Sequence, residues 1–72
     1  MSGRTAYLGL VGQVKYILHV WGIEKNEWLI VAKYVDDTQR EYHPGDLRKL
    51  PNDIRSRVKT EKERCIQNMK AG

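Results

Sequence analysis

The side chains in this chain best suited to chemistry are its cations, and two of them fall where a sheet would set them side by side. Lys15 and Lys33 lie in two β-rich runs, residues 11–21 and 27–35, and a five-residue connection at 22–26 brings them directly opposite each other. A like-charge pair of this kind costs stability unless an acid or a bound anion offsets it. Glu41, on the same alternating face, is the acid at hand, and a phosphate is the other way to neutralise the pair. The remaining candidate phosphate contacts are Arg48, Lys49, Arg55, Arg57, Lys59 and Arg64, all from the C-terminal part of the chain. Trp21, beside the first turn, is either a packing anchor or a platform for a stacked base.

Other chemistries find less support. His19 and His43 share one predicted sheet face, but no carboxylate or thiol stands beside them at ligand spacing, so no metal is expected. Cys65 is the single cysteine. It rules out an internal disulfide, fits a reducing compartment and falls on an apolar helical stripe, where it reads as a packing residue with no positioned base. Asp36 and Asp37 are neighbours in a turn and do not face one another across a substrate. No glycine-rich loop opens a helix to cradle phosphate. Neither an enzyme nor a cofactor is expected.

Charge is divided unevenly along the chain. The total is 13 Lys and Arg against 9 Asp and Glu, a formal net charge of +4. Residues 1–43 carry five basic and five acidic groups, whereas residues 44–72 carry eight basic against four acidic, so the second part accounts for the whole excess. This segregation points to nucleic acid or another acidic surface, and the alternative is that cations merely keep a terminal helix solvated. With 72 residues the chain is one small domain, and most of its apolar residues must go to the core. The longest apolar stretch, 17–35, is interrupted by His19, Glu24, Lys25, Asn26, Glu27 and Lys33, so no membrane span is expected, nor a cleavable signal. The expected compartment is the cytoplasm, or the nucleus in a eukaryote.

The elements that must position these groups form an α+β domain: a small twisted antiparallel β-meander followed by a C-terminal α-helix. Residues 1–10 read as a loosely ordered N-terminus in which Tyr7, Leu8 and Leu10 are able to supply a short strand. Residues 11–50 form the meander, with strands at 11–21, 27–35 and 39–43, and residues 52–69 form a basic helix. Parity across the first connection sets Trp21 against Glu27, Val20 against Trp28, Leu18 against Ile30, Tyr16 against Ala32 and Val14 against Tyr34. A three-residue turn, Asp36 to Thr38, then adds Arg40 and Tyr42 to this even-numbered core face. The odd face carries Lys15, Ile17, His19, Trp21, Leu29, Val31, Lys33, Val35, Gln39, Glu41 and His43.

Pro44 and Gly45 end the third strand, and Asp46 to Pro51 read as a 3₁₀ turn or a last short strand. Asn52 is the expected N-cap. Ile54, Val58, Cys65 and Met69 make the helix's apolar stripe, with Ile66 at its edge. Arg57, Thr60, Arg64, Gln67 and Asn68 are expected opposite it, with Arg57–Glu61 and Lys59–Glu63 as supporting ion pairs.

The run Val31-Ala32-Lys33-Tyr34-Val35-Asp36-Asp37-Thr38-Gln39-Arg40-Glu41-Tyr42, followed by Asp46-Leu47-Arg48-Lys49-Leu50, resembles the second half of SH3-like small barrels of the Tudor and KOW type. The resemblance implies a curled, barrel-like sheet and a nucleic-acid or peptide ligand. In the Tudor case it also implies an aromatic cage, for which Trp28, Tyr34 and Tyr42 are the available residues. The order of three antiparallel strands and a helix is also similar to the small amino-terminal DNA-binding domains of some tyrosine recombinases. There the sheet enters the major groove and the helix backs it.

The expected function is non-catalytic binding of duplex DNA or RNA, with phosphate contacts from the helix, the 48–49 segment and the sheet lysines. The competing expectation is a protein partner docked on a sheet edge or on the apolar helix stripe.

Overall fold

The computed structural model describes residues 3–22 and 27–71, with side chains as far as Asn68. Four antiparallel strands, β1 (Arg4–Val11), β2 (Val14–Gly22), β3 (Glu27–Lys33) and β4 (Gln39–Tyr42), form a meander in the order β1-β2-β3-β4. A 3₁₀ turn at Pro44–Lys49 and helix α1 (Asn52–Ala71) follow. The α+β meander with a C-terminal helix is therefore the fold. Its sheet is open, with β1 and β4 as free edges, so the barrel closure implied by the resemblance does not occur.

The N-terminal segment is where expectation and structure differ most. Residues 4–11 are an eight-residue strand and not a loose tail. What reads as one strand from 11 to 21 is the end of β1, a two-residue turn and β2. The turn is Gly12-Gln13, and Gly12 has φ +63, the sign a type II′ hairpin needs at its first central position. Further along β1, Tyr7 pairs with Ile17 but Gly9 pairs with Tyr16, so an extra residue makes a β-bulge. Gly9 sits there at φ +146, and a Cβ on it would meet Ile54 Cδ1 at 3.3 Å. Only glycine takes this backbone without strain. Gly9→Ala is expected to lower unfolding stability by about 1–3 kcal/mol, measurable by denaturant titration, whereas Ser56→Ala, on the helix surface, shifts it little.

The β2–β3 register agrees with parity for Lys15↔Lys33, Tyr16↔Ala32, Leu18↔Ile30 and Val20↔Trp28. It departs at the connection, where Gly22 and not Trp21 pairs with Glu27, which leaves Trp21 at a second bulge. The connecting residues 23–26 lie outside the described part. The β3–β4 register is Ile30↔Tyr42, Val31↔Glu41, Ala32↔Arg40 and Lys33↔Gln39, two residues away from a three-residue turn.

The chain instead turns over Tyr34–Thr38, closed by Tyr34 N–H to Thr38 O at 3.0 Å and Asp37 N–H to Tyr34 O at 3.1 Å. Asp36 Oδ1 accepts both the Thr38 amide and hydroxyl, at 3.1 and 2.6 Å, and these bonds hold its carboxyl below its ordinary pKa. Asp37 takes the left-handed φ of 69 that Asp tolerates better than most residues.

Alternation sends Leu8, Tyr16, Leu18, Val20, Trp28, Ile30, Ala32 and Tyr42 to one face, where Leu50, Ile54, Val58 and Cys65 meet them in the core. Helix α1 lies over β1 and β2 on this face. Its stripe of Ile54, Val58 and Cys65 is buried as spacing predicts, and the side chain of Met69 lies outside the described residues. The helix begins differently from expectation. Pro51 O accepts the first helical bond, from Arg55 N–H at 2.9 Å, while the Asn52 side-chain oxygen accepts from the Arg55 guanidinium and caps no backbone amide. At the 3₁₀ turn Asp46 Oδ2 accepts from His43 N–H at 3.2 Å, and that bond, aided by Lys49, lowers the Asp46 pKa. Both lowered carboxyls support their turns fully above the unfolded carboxylate range and lose that contribution as pH falls through their folded pKa values.

Candidate nucleic-acid interface

With the helix on the even face of the sheet, the odd face is left uncovered by any element among the described residues. The pairings resolve that face into rows. Leu10, Lys15, Lys33 and Gln39 form one end, and Tyr7, Ile17, Val31 and Glu41 form the next row. Thr5, His19 and Leu29 make the third, and Trp21 stands at the far end. Exposure is high for Tyr7 at 55%, Leu10 at 59% and Trp21 at 46%. The bulge at Gly9 has a direct consequence here. By restarting the alternation it turns Tyr7 and Leu10, three residues apart, to the same open face while Leu8 enters the core.

Lys15 and Lys33 are cross-strand partners on this face, both exposed. Glu41 does not neutralise them. It lies opposite Val31, and its Oε1 is 4.0 Å from His43 Nε2. Among the described residues no carboxylate comes within 4.0 Å of either lysine. The pair opens on a depression of about 540 Å³ lined by the Gly12-Gln13 turn, Leu10, Tyr34, Val35 and Asp37. Asp37 is the one acid in that lining.

The other sequence-predicted cations do not join this pair. Arg55, Arg57, Lys59 and Arg64 are exposed on α1, on the opposite side of the sheet, and Arg48 and Lys49 are exposed on the 3₁₀ turn. Several have internal partners: Lys49 Nζ reaches Asp46 Oδ1 at 3.5 Å, Arg64 Nη1 reaches Glu61 Oε1 at 3.5 Å, and Arg55 binds Asn52. Neither the expected Arg57–Glu61 pair nor the Lys59–Glu63 pair forms among the described residues, and Glu61 engages Arg64 instead. At about 100° per residue Arg57 and Arg64 fall on one flank of the buried stripe and Arg55 and Lys59 on the other, so the helix presents two short cationic edges and no continuous stripe.

The aromatic residues divide in the same way. Trp28 is 3% exposed under the Lys62 ammonium, whose Nζ lies 4.8 Å from the ring centroid. Tyr42 is buried and hydrogen-bonds Tyr34, and that bond, more than burial, raises the Tyr34 pKa. Trp28 and Tyr42 are thus filled into the core and form no open cage. The Cys65 thiol is buried, and desolvation, reinforced by Glu61, raises its pKa and keeps it protonated, which suits packing and not nucleophilic attack. No group of three or more His, Cys, Asp or Glu is arranged to hold a metal among the described residues. No helix among them is long and apolar enough to cross a membrane.

Tyr7 and Leu10 are the exposed residues of this candidate face that sequence reasoning missed. Their signal was the Gly-Gln pair between apolar runs, which marks a two-residue hairpin and so a strand before it. No protein family, curated protein sequence or solved structure matches the chain.

Proposed function

We propose that this chain is a non-catalytic nucleic-acid-binding module whose contact surface is the open face of its sheet. The observation that carries the reading is the Lys15–Lys33 pair, two ammonium groups set across from one another with no carboxylate within 4.0 Å among the described residues. An unbound sheet is strained by that pairing, and a phosphate between the lysines would relieve it. The cations of α1 and the 3₁₀ turn, on the other side, add to the positive field that draws a polyanion toward the molecule. They also offer weaker, non-specific contacts.

Lys33→Gln tests both halves of this. The variant is expected to be as stable as the parent, or more so by a few tenths of a kcal/mol, since one partner of a repulsive exposed pair is gone. Its oligonucleotide affinity should fall, and the slope of log K against log salt should become shallower by about one unit, the signature of one lost phosphate contact. A variant less stable than the parent, with unchanged binding and slope, would show Lys33 to be sheet scaffolding.

A second reading, a protein-interaction surface, is favoured by the apolar centre of the same face, where Tyr7 and Leu10 are exposed beside the half-buried Ile17 and Leu29. It is distinguished by affinity that varies little with salt.

A further inference from the structure

Building on the nucleic-acid reading, we infer that the ligand of the open sheet face is single-stranded, and that Tyr7 is a stacking platform for one of its bases. Three features combine. The first is width. Over the two rows where all four strands pair, a spacing of about 4.8 Å makes a face of about 14 Å before side chains are added, broader than a major groove of about 12 Å. At the Thr5, His19 and Leu29 row it narrows to three strands. A four-strand face of that breadth does not fit into a major groove, whereas a single strand with splayed bases can lie across it.

The second feature is the exposed ring. Tyr7 is 55% exposed in the middle of an edge strand, in register with Ile17 on β2 and, one strand further on, with Val31 on β3. A half-exposed aromatic on an open sheet face can offer a π-face to any base. The bulge at Gly9 is what puts Tyr7 and Leu10 together on this face, so a backbone position that only glycine takes without strain serves the arrangement.

The third feature is charge placed at stacking distance. Ile17, the partner of Tyr7, lies two residues from Lys15 along β2, about 7 Å away, and Lys33 is the next residue across. A strand whose phosphate sits between the two lysines therefore has an adjoining base over Tyr7. Continuing along β2, His19 and then Trp21, about 13 Å beyond Ile17, extend the track toward the other end of the sheet. Among the described residues the acids beside this path are Asp37 in the depression next to the lysines, Glu41 on the β4 side and Glu27 at the far end, and none stands on β1 or β2 themselves.

The test uses the full chain with a fluorescent ten-nucleotide oligothymidine and a fluorescent duplex of equal length, titrated at low salt. The expected result is single-strand binding at least about 10-fold tighter than duplex binding. Tyr7→Ala should weaken single-strand binding about 10-fold or more and leave duplex binding unchanged, and Tyr7→Phe should bind like the parent, because the ring and not the hydroxyl is used. Circular dichroism of each variant shows that the fold persists. Equal affinity for the two forms, with Tyr7→Ala binding like the parent, overturns the single-strand inference while nucleic-acid binding stands. No measurable binding of either form overturns both, and leaves the apolar centre of the face to a protein partner.

Discussion

Val58→Asp is expected to lower the domain's unfolding stability by about 2 kcal/mol or more. Val58 is 3% exposed between Ile54 and Cys65 and meets the core side chains of β1 and β2. The substitution removes that apolar burial and sets a carboxylate among the apolar core side chains, at a cost of about 2 kcal/mol or more. A chain of this length is stable by only about 4–11 kcal/mol, so the loss is a large fraction of the total. The melting temperature should fall by about 10 °C or more. Arg57→Asp, one residue away on the exposed flank, should melt with the parent. If Val58→Asp also melts with the parent, α1 is not packed on the sheet, and the even face would then be a second open surface.

The other large effect concerns binding. Reversing both sheet lysines, Lys15→Glu with Lys33→Glu, should reduce oligonucleotide affinity about 100-fold or more. Two charge-assisted contacts of about 1.5–3 kcal/mol each are removed, and acids are set where phosphate would sit. The fold should persist, since one like-charge pair replaces another. Arg57→Glu with Lys59→Glu is the matched control. It makes the same change in net charge, from +4 to zero, but on the other side of the sheet. Loss of long-range attraction is common to both variants. The excess loss in the sheet variant measures direct contact, and equal losses would move the contact surface to the helix.

The juxtaposition of Lys15 and Lys33 was legible because strand parity depends only on whether the connection between β2 and β3 holds an odd or even number of residues. One bulge at Trp21, beyond the last regular pair, left the pairs from Val20 to Lys15 untouched. The helix stripe was legible for a similar reason, since Ile54, Val58 and Cys65 repeat at helical spacing. Strand β1 was not, because Gly9 in the first ten residues suggests looseness and Gly12 disappears inside an apparently continuous strand from 11 to 21, when one is in fact a bulge and the other a hairpin turn. A bulge also breaks the period-2 pattern by which a strand is recognised, so Leu8 and Val11 both facing inward looks like no strand at all. The helix cations were visible as a charge excess, but composition carries no direction. Only the packing of α1 on the even face separates them from the sheet lysines. Glu41 was missed as an isolated acid because the Tyr34–Thr38 turn is two residues longer than Asp-Asp-Thr suggests, which slides β4 along β3.

The central claim is that the open face of the sheet, and not the helix, touches nucleic acid. Backbone amide chemical shifts of the isotope-labelled chain, followed as a single-stranded oligonucleotide is added at low salt, test it most directly. The account predicts the largest changes at Thr5, Tyr7, Leu10, Lys15, Ile17, His19, Val31 and Lys33, with the amides of 55–64 little moved. Changes confined to 55–64, with the sheet amides unmoved, would contradict it.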